Sequence, residues 1–271
     1  MPGRSGYTLI ELIELIMVIV LLSIVATVSV RFVGLSTQGA LDTSARQLRA
    51  LQSVVISEQL TRELREAFPL SVRVEGSCIE WLPLVGGTNY LNLTTGAAIS
   101  QIDIAEFAQV PQVPPTSATR VVIYGYGTST ADLYAGASPG PVSPDISSIN
   151  NTAIAGTPAK ITLSGNHRFT TNSPSRRLFV LGEPVSLCQG KPPNRQFLYR
   201  YSGYSPSGTQ PDPPSSTPEI LSASLTGTVD FTFLPATLQR AAVVQFTFEL
   251  ESVDGDETTT VSQEVQIRNV P

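Results

Sequence analysis

The chain has 271 residues and few of the side chains that carry most chemistry. His167 is its one histidine. A catalytic triad needs an imidazole base beside its nucleophile, and no GxSxG or CxxC pattern supplies one here. The neighbours Asn166 and Arg168 place His167 in an expected polar loop. Cys78 and Cys188 are the whole cysteine complement, and with one histidine they are too few for a zinc cluster. We therefore expect no enzyme, no catalytic residue, no cofactor and no metal. Charge is scarce too. Asp, Glu, Lys and Arg make up 14% of the chain, against roughly 25% in an average domain. The net charge is −5 and Lys160 and Lys191 are the only lysines, which excludes a basic nucleic-acid binder. With 41% apolar residues the chain is not a highly charged disordered protein either. Its 20 glycines and 21 prolines lack a three-residue period, which excludes a collagen-like rod.

What the sequence does have is hydrophobicity gathered at one end. Leu15–Leu22 reads LIMVIVLL, and counting from Leu12 to Val30 gives a helix of about 28 Å, enough to span a bilayer core. Glu14 interrupts the run near its start. Arg4, the one basic residue ahead of it, favours a cytoplasmic N-terminus. A cleaved secretory signal carries its small-residue site after the apolar core. Here Ser5-Gly6 comes before it.

The heptapeptide Gly6-Tyr7-Thr8-Leu9-Ile10-Glu11-Leu12 at the head of this helix resembles the prepilin motif of type IV pilins and type II secretion pseudopilins. The resemblance implies a leader, residues 1–6, cut between Gly6 and Tyr7 by a prepilin peptidase that then methylates Tyr7. It gives Glu11 an assembly role, in which the carboxylate pairs with the terminal amine of a neighbouring subunit. A carboxylate in a bilayer needs such a partner. Glu14 departs from the usual apolar residue. It lies on the same helix face, about 4.5 Å further along. It either snorkels to the cytoplasmic interface or suits a special place such as a filament tip.

Beyond Arg31 the helix is expected to continue, with Gly34 and Gly39 as weak points. Leu41, Ala45, Leu48, Leu51, Val55, Leu60, Leu64 and Phe68 recur at three- and four-residue steps, an amphipathic pattern that Pro69 ends. Strands then follow. Ser71–Val74 and Cys78–Leu84 read as a hairpin. Arg120–Tyr126, Leu178–Leu181, Phe197–Tyr201 and Val229–Leu234 read as strands, and Ala242–Val253 with Thr258–Arg268 forms a hairpin about Asp254-Gly255. Residues 136–160 and 205–219 are loops by composition. Asp254-Gly-Asp-Glu257 is a solvated turn before it is a calcium site, since the other ligands are missing. Tyr199, Tyr201 and Tyr204 read as strand packing before a sugar- or partner-binding face.

Within the superfamily, Leu60-Thr-Arg-Glu-Leu-Arg-Glu-Ala-Phe-Pro69, Cys78-Ile-Glu-Trp81, Val185-Ser-Leu-Cys188, Leu198-Tyr-Arg-Tyr-Ser-Gly-Tyr204 and Val265-Gln-Ile-Arg-Asn-Val-Pro271 resemble minor pilins of the MSHA pilus system. The expected fold is α+β and type IV pilin-like. Residues 7–33 form a transmembrane helix and 34–68 an amphipathic continuation. Residues 69–271 form an antiparallel β-rich periplasmic head. On the periplasmic side a Cys78–Cys188 disulfide would persist; two buried free thiols are the alternative. The implied partners are the prepilin peptidase, other major and minor pilins, an assembly platform protein with its ATPase, and the bacterial inner membrane, with no nucleic acid. The implied function is filament assembly or priming, at the tip. A type II secretion pseudopilin is one alternative, and a tip adhesin binding a surface or glycan is another.

Overall fold

The computed structural model describes residues 8–111, 119–252, 255 and 257–268. One long helix, α1 (Leu9–Arg65), opens the chain. The elements β1 (Arg73–Glu75), β2 (Cys78–Trp81), β3 (Leu84–Asn92), β4 (Ile99–Ile104) and β5 (Arg120–Val122) follow. A short helix, α2 (Thr130–Ala135), precedes β6 (Val142–Asn150), β7 (Ala159–His167), β8 (Arg177–Leu181), β9 (Val185–Gln189) and β10 (Leu198–Tyr201). The chain closes with β11 (Glu219–Ser222), β12 (Leu225–Leu234), β13 (Ala242–Glu251) and β14 (Thr258–Ile267). The fold is α+β with antiparallel sheets, and it divides into two compact units, one up to Leu51 and one from Gln52.

In the first unit the helix runs through Gly34 and Gly39 without a break. Its apolar side chains from Leu9 to Leu35 are all exposed. Two hydroxyls inside the run bond back along the helix: Ser23 Oγ donates to the Val20 carbonyl (2.8 Å) and Thr27 Oγ1 to that of Ser23 (2.7 Å). Each hydroxyl is thus satisfied without water. The helix is long and apolar enough to cross a membrane.

The second unit has three β assemblies. Strands β1-β2-β9-β10-β11 form one sheet, β12-β13-β14 another, and β3-β4-β7-β6-β5-β8 close into a barrel. The end of α1 lays Ile56, Leu60 and Leu64 on a core shared with Trp81, Leu187, Phe246 and Ile267. The barrel interior is filled by Ile102, Ile161, Phe169 and Val180 among others. Residues Phe68, Leu82, Leu133 and Leu181 pack with Tyr134 of α2. This helix starts on the Ser129 side chain, which accepts from the Asp132 N–H, and stops at Gly136 with φ 61°.

The structure corrects four expectations. The helix ends at Arg65, not Phe68, because the backbone turns to join the sheet: Phe68 N–H donates to the Leu82 carbonyl at 2.8 Å, and Ala67 bridges to Pro83. Only Leu60, Leu64 and Phe68 of the expected stripe are buried, with Ile56 in Val55's place, while Leu41, Leu48, Leu51 and Val55 are exposed. Residues 136–160 are not one loop, for β6 lies wholly inside them. Its Val142 and Ile146 face inward, β5 pairs with its first half (Val142, Asp145) and β7 with its second (Ile146 to Asn150), so polar composition hid a strand. Residues 205–218, by contrast, have no regular secondary structure. His167 is the fourth case. It ends β7 and is fully buried, not in a polar loop.

Candidate functional site

The expected cleavage and methylation positions, Gly6 and Tyr7, lie outside the described residues, as do Asp254 and Asp256 of the acidic turn. The rest of the motif is built as a reciprocal cap. Thr8 N–H donates to Glu11 Oε2 at 2.8 Å, and Glu11 N–H points back at Thr8 Oγ1 at 3.5 Å. This is the capping-box arrangement, in which two otherwise unpaired backbone donors at a helix start are satisfied by side chains three residues apart. Its sequence signature, Thr-x-x-Glu before an apolar run, is Thr8-Leu9-Ile10-Glu11. One carboxylate oxygen of Glu11 is engaged, and the other has no protein partner among the described residues. Glu14 is exposed one turn further on.

The head is stapled at its centre. Cys78 and Cys188 form a disulfide between directly opposed positions of β2 and β9, which settles the choice between a bond and free thiols. It closes a sequence separation of 110 residues. Tyr199, Tyr201 and Tyr204 pack against it, and the Tyr204 hydroxyl is spent on Ser186 and Glu80. The three rings are therefore packing groups.

Beside the staple lies a buried polar cluster that sequence reasoning missed. Glu80 has no exposed surface. Arg73 Nε donates to its Oε2, and Tyr204 Oη donates to its Oε1 at 3.0 Å. The Arg73 guanidinium lies 3.7 Å from the Tyr134 ring centre, and its remaining nitrogens donate to the Gly208 and Ser207 carbonyls at 2.9 and 2.8 Å. Burial pushes the Glu80 carboxyl up against the opposing pull of Arg73 and Tyr204. Burial also pushes the Tyr134 and Tyr204 hydroxyls up, so both stay protonated donors. Each polar atom has a partner, and the cluster fastens the irregular 205–218 segment to the sheet. A glutamate inside the apolar strand CIEW, with an arginine seven residues before it across a short turn, was the available signal.

Two further anchors act nearby. Arg200 Nε grips both oxygens of Glu63 at 3.1 and 3.0 Å, tying the end of α1 to β10. Lys191 Nζ donates to the Asp212 carbonyl at 2.7 Å, and Asp212 Oδ1 lies 3.1 Å from Cys78 Sγ. His167 Nε2 meets the Gly140 carbonyl at 3.0 Å, and its ring stands edge-on to Phe169. Burial pushes its pKa down. That environment suits a neutral packing residue. Comparison with family models, with curated proteins and with solved structures gives no match for this chain.

Proposed function

We propose that this protein is a minor pilin of an MSHA-type type IV pilus, most similar to the MshO type, and that it works by assembly rather than catalysis. In this reading the peptidase exposes the amine of Tyr7 on the cytoplasmic side. The apolar helix holds the subunit in the inner membrane with its head in the periplasm. Glu11 then registers the subunit against its neighbours during extraction into a filament, at the priming complex and hence the tip.

The observation that carries this reading is the start of α1. An exposed apolar helix opens on the Thr8–Glu11 reciprocal cap, immediately after Gly6-Tyr7, leaving one Glu11 oxygen for an incoming amine. The disulfide-stapled, weakly charged head is in keeping with an oxidising compartment. The test is the N-terminus of the protein from membranes. Mass spectrometry should find a chain beginning at methylated Tyr7, and Gly6→Val should leave it uncut. A mature chain retaining residues 1–6 would sink the proposal. Loss of filaments on deletion, rather than loss of secretion, separates a pilin from a pseudopilin.

A further inference from the structure

Three arginines from distant parts of the chain meet on one open cleft of about 480 Å³: Arg65 from the end of α1, Arg177 at the start of β8 and Arg268 just after β14. All three are exposed, and none has an acidic partner among the described residues. By contrast, Arg73, Arg120, Lys160, Lys191 and Arg200 are paired with carboxylates of the chain itself. Glu66 lines the same cleft, leaving a balance of two positive charges. The floor is apolar, formed in part by Leu84 and the Phe179 ring. That ring lies so close to Gly87 that a Cβ there would come within 2.9 Å of it, so the glycine is what lets the ring form the floor.

We infer that this cleft is a docking site for an acidic, extended peptide segment of another protein. Guanidinium groups match carboxylates in planar, two-point geometry. The apolar floor seats aliphatic side chains between the acidic ones, which a polyanionic glycan does not have. A nucleic acid is disfavoured by the −5 charge of the whole chain. The cleft lies wholly within the head, and the inference does not depend on the pilin reading.

The test uses the full chain in a non-ionic detergent and a fluorescein-labelled peptide of alternating Glu and Leu, with fluorescence anisotropy as the readout. The peptide should bind, and the triple variant R65Q/R177Q/R268Q should weaken binding about tenfold or more. Added salt should weaken it too, while R195Q, an exposed arginine outside the cleft, should leave it unchanged. Retention of the disulfide and of the circular dichroism spectrum shows that the triple variant is folded. No binding, equal binding of the Gln-Leu peptide, or equal binding by the triple variant would overturn the inference. So would arginine-dependent binding of a heparin oligosaccharide in place of the peptide.

Discussion

Arg73 and Glu80 are register partners across the β1–β2 hairpin, and the guanidinium of one holds the fully buried carboxylate of the other. The pair is paid for by its setting: Tyr204 bonds the second Glu80 oxygen, and Tyr134 and two backbone carbonyls take up the rest of Arg73. Removing one partner leaves an uncompensated buried charge. Arg73→Met is therefore expected to cost about 3–5 kcal/mol at neutral pH, measured by urea unfolding of the detergent-solubilised chain. Burial raises the Glu80 carboxyl above its ordinary 4.5. The folded state thus holds that proton more tightly than the unfolded one. The associated stability is complete below 4.5 and lost as pH rises through the folded value. The deficit of Arg73→Met should accordingly shrink in acid, and Glu80→Gln should flatten this part of the pH profile. A deficit independent of pH would show that the charge on Glu80 is not its cause.

The Cys78–Cys188 bond ties two central strands of the five-stranded sheet. In the chain-entropy account, closing a loop of this length stabilises by about 4–5 kcal/mol. The double variant Cys78→Ala/Cys188→Ala should lose that order of stability, and alkylation without reductant should add no mass to the native protein. A mass shift of two alkyl groups would show that the thiols are free in the cell.

The parts of this fold that were legible beforehand are those written in periodicity and turn chemistry. The apolar run of α1, the pairing of β13 with β14 over ten positions and the strands rich in aromatic residues are of this kind. The barrel was not. Leu84–Asn92, Ile99–Ile104 and Val142–Asn150 carry Gly, Ser, Asn and Asp at their outward positions. Their strand character comes from neighbours on both sides, and no local propensity shows it. The same holds for the polar site. Tyr204 lies 124 residues beyond Glu80 in sequence, so only the folded sheet reveals the cluster. Asn166 and Arg168 are exposed while the His167 ring between them is buried, so polar sequence neighbours do not reveal its environment.

His167 supplies a second pH dependence of opposite sign. Its ring is buried against Phe169, with Nε2 on the Gly140 carbonyl, and burial lowers its pKa below 6.5. The folded state thus takes up the proton less readily than the unfolded one. The stability tied to the neutral ring is complete above 6.5 and lost as pH falls through the folded value. Unfolding free energy should therefore drop as the pH falls below 6.5, whereas the Glu80 effect lowers it as the pH rises above 4.5. His167→Gln, which keeps a donor for Gly140, should remove this fall and leave the opposite Glu80 dependence in place. An unchanged slope there would assign the dependence to other groups.

The cap that Glu11 forms and the registering role we propose for it are separated by one substitution. As a cap it needs only an acceptor oxygen for the Thr8 N–H; as a registering group it needs a negative charge for a neighbour's amine. Glu11→Gln retains the first and removes the second. It should leave the protein cleaved and anchored in the membrane but strongly reduced in the sheared filament fraction. Glu11→Ala removes both, adding the loss of a helix cap, about 1 kcal/mol in ordinary helices. If Gln incorporated as well as Glu, the carboxylate would be a capping residue and nothing more. Glu14 has no share in the cap, and in the proposed topology its charge can snorkel to the cytoplasmic interface. Glu14→Leu should therefore leave incorporation unchanged, and a loss of filaments in that variant would instead assign the second carboxylate to a specialised contact at the filament end.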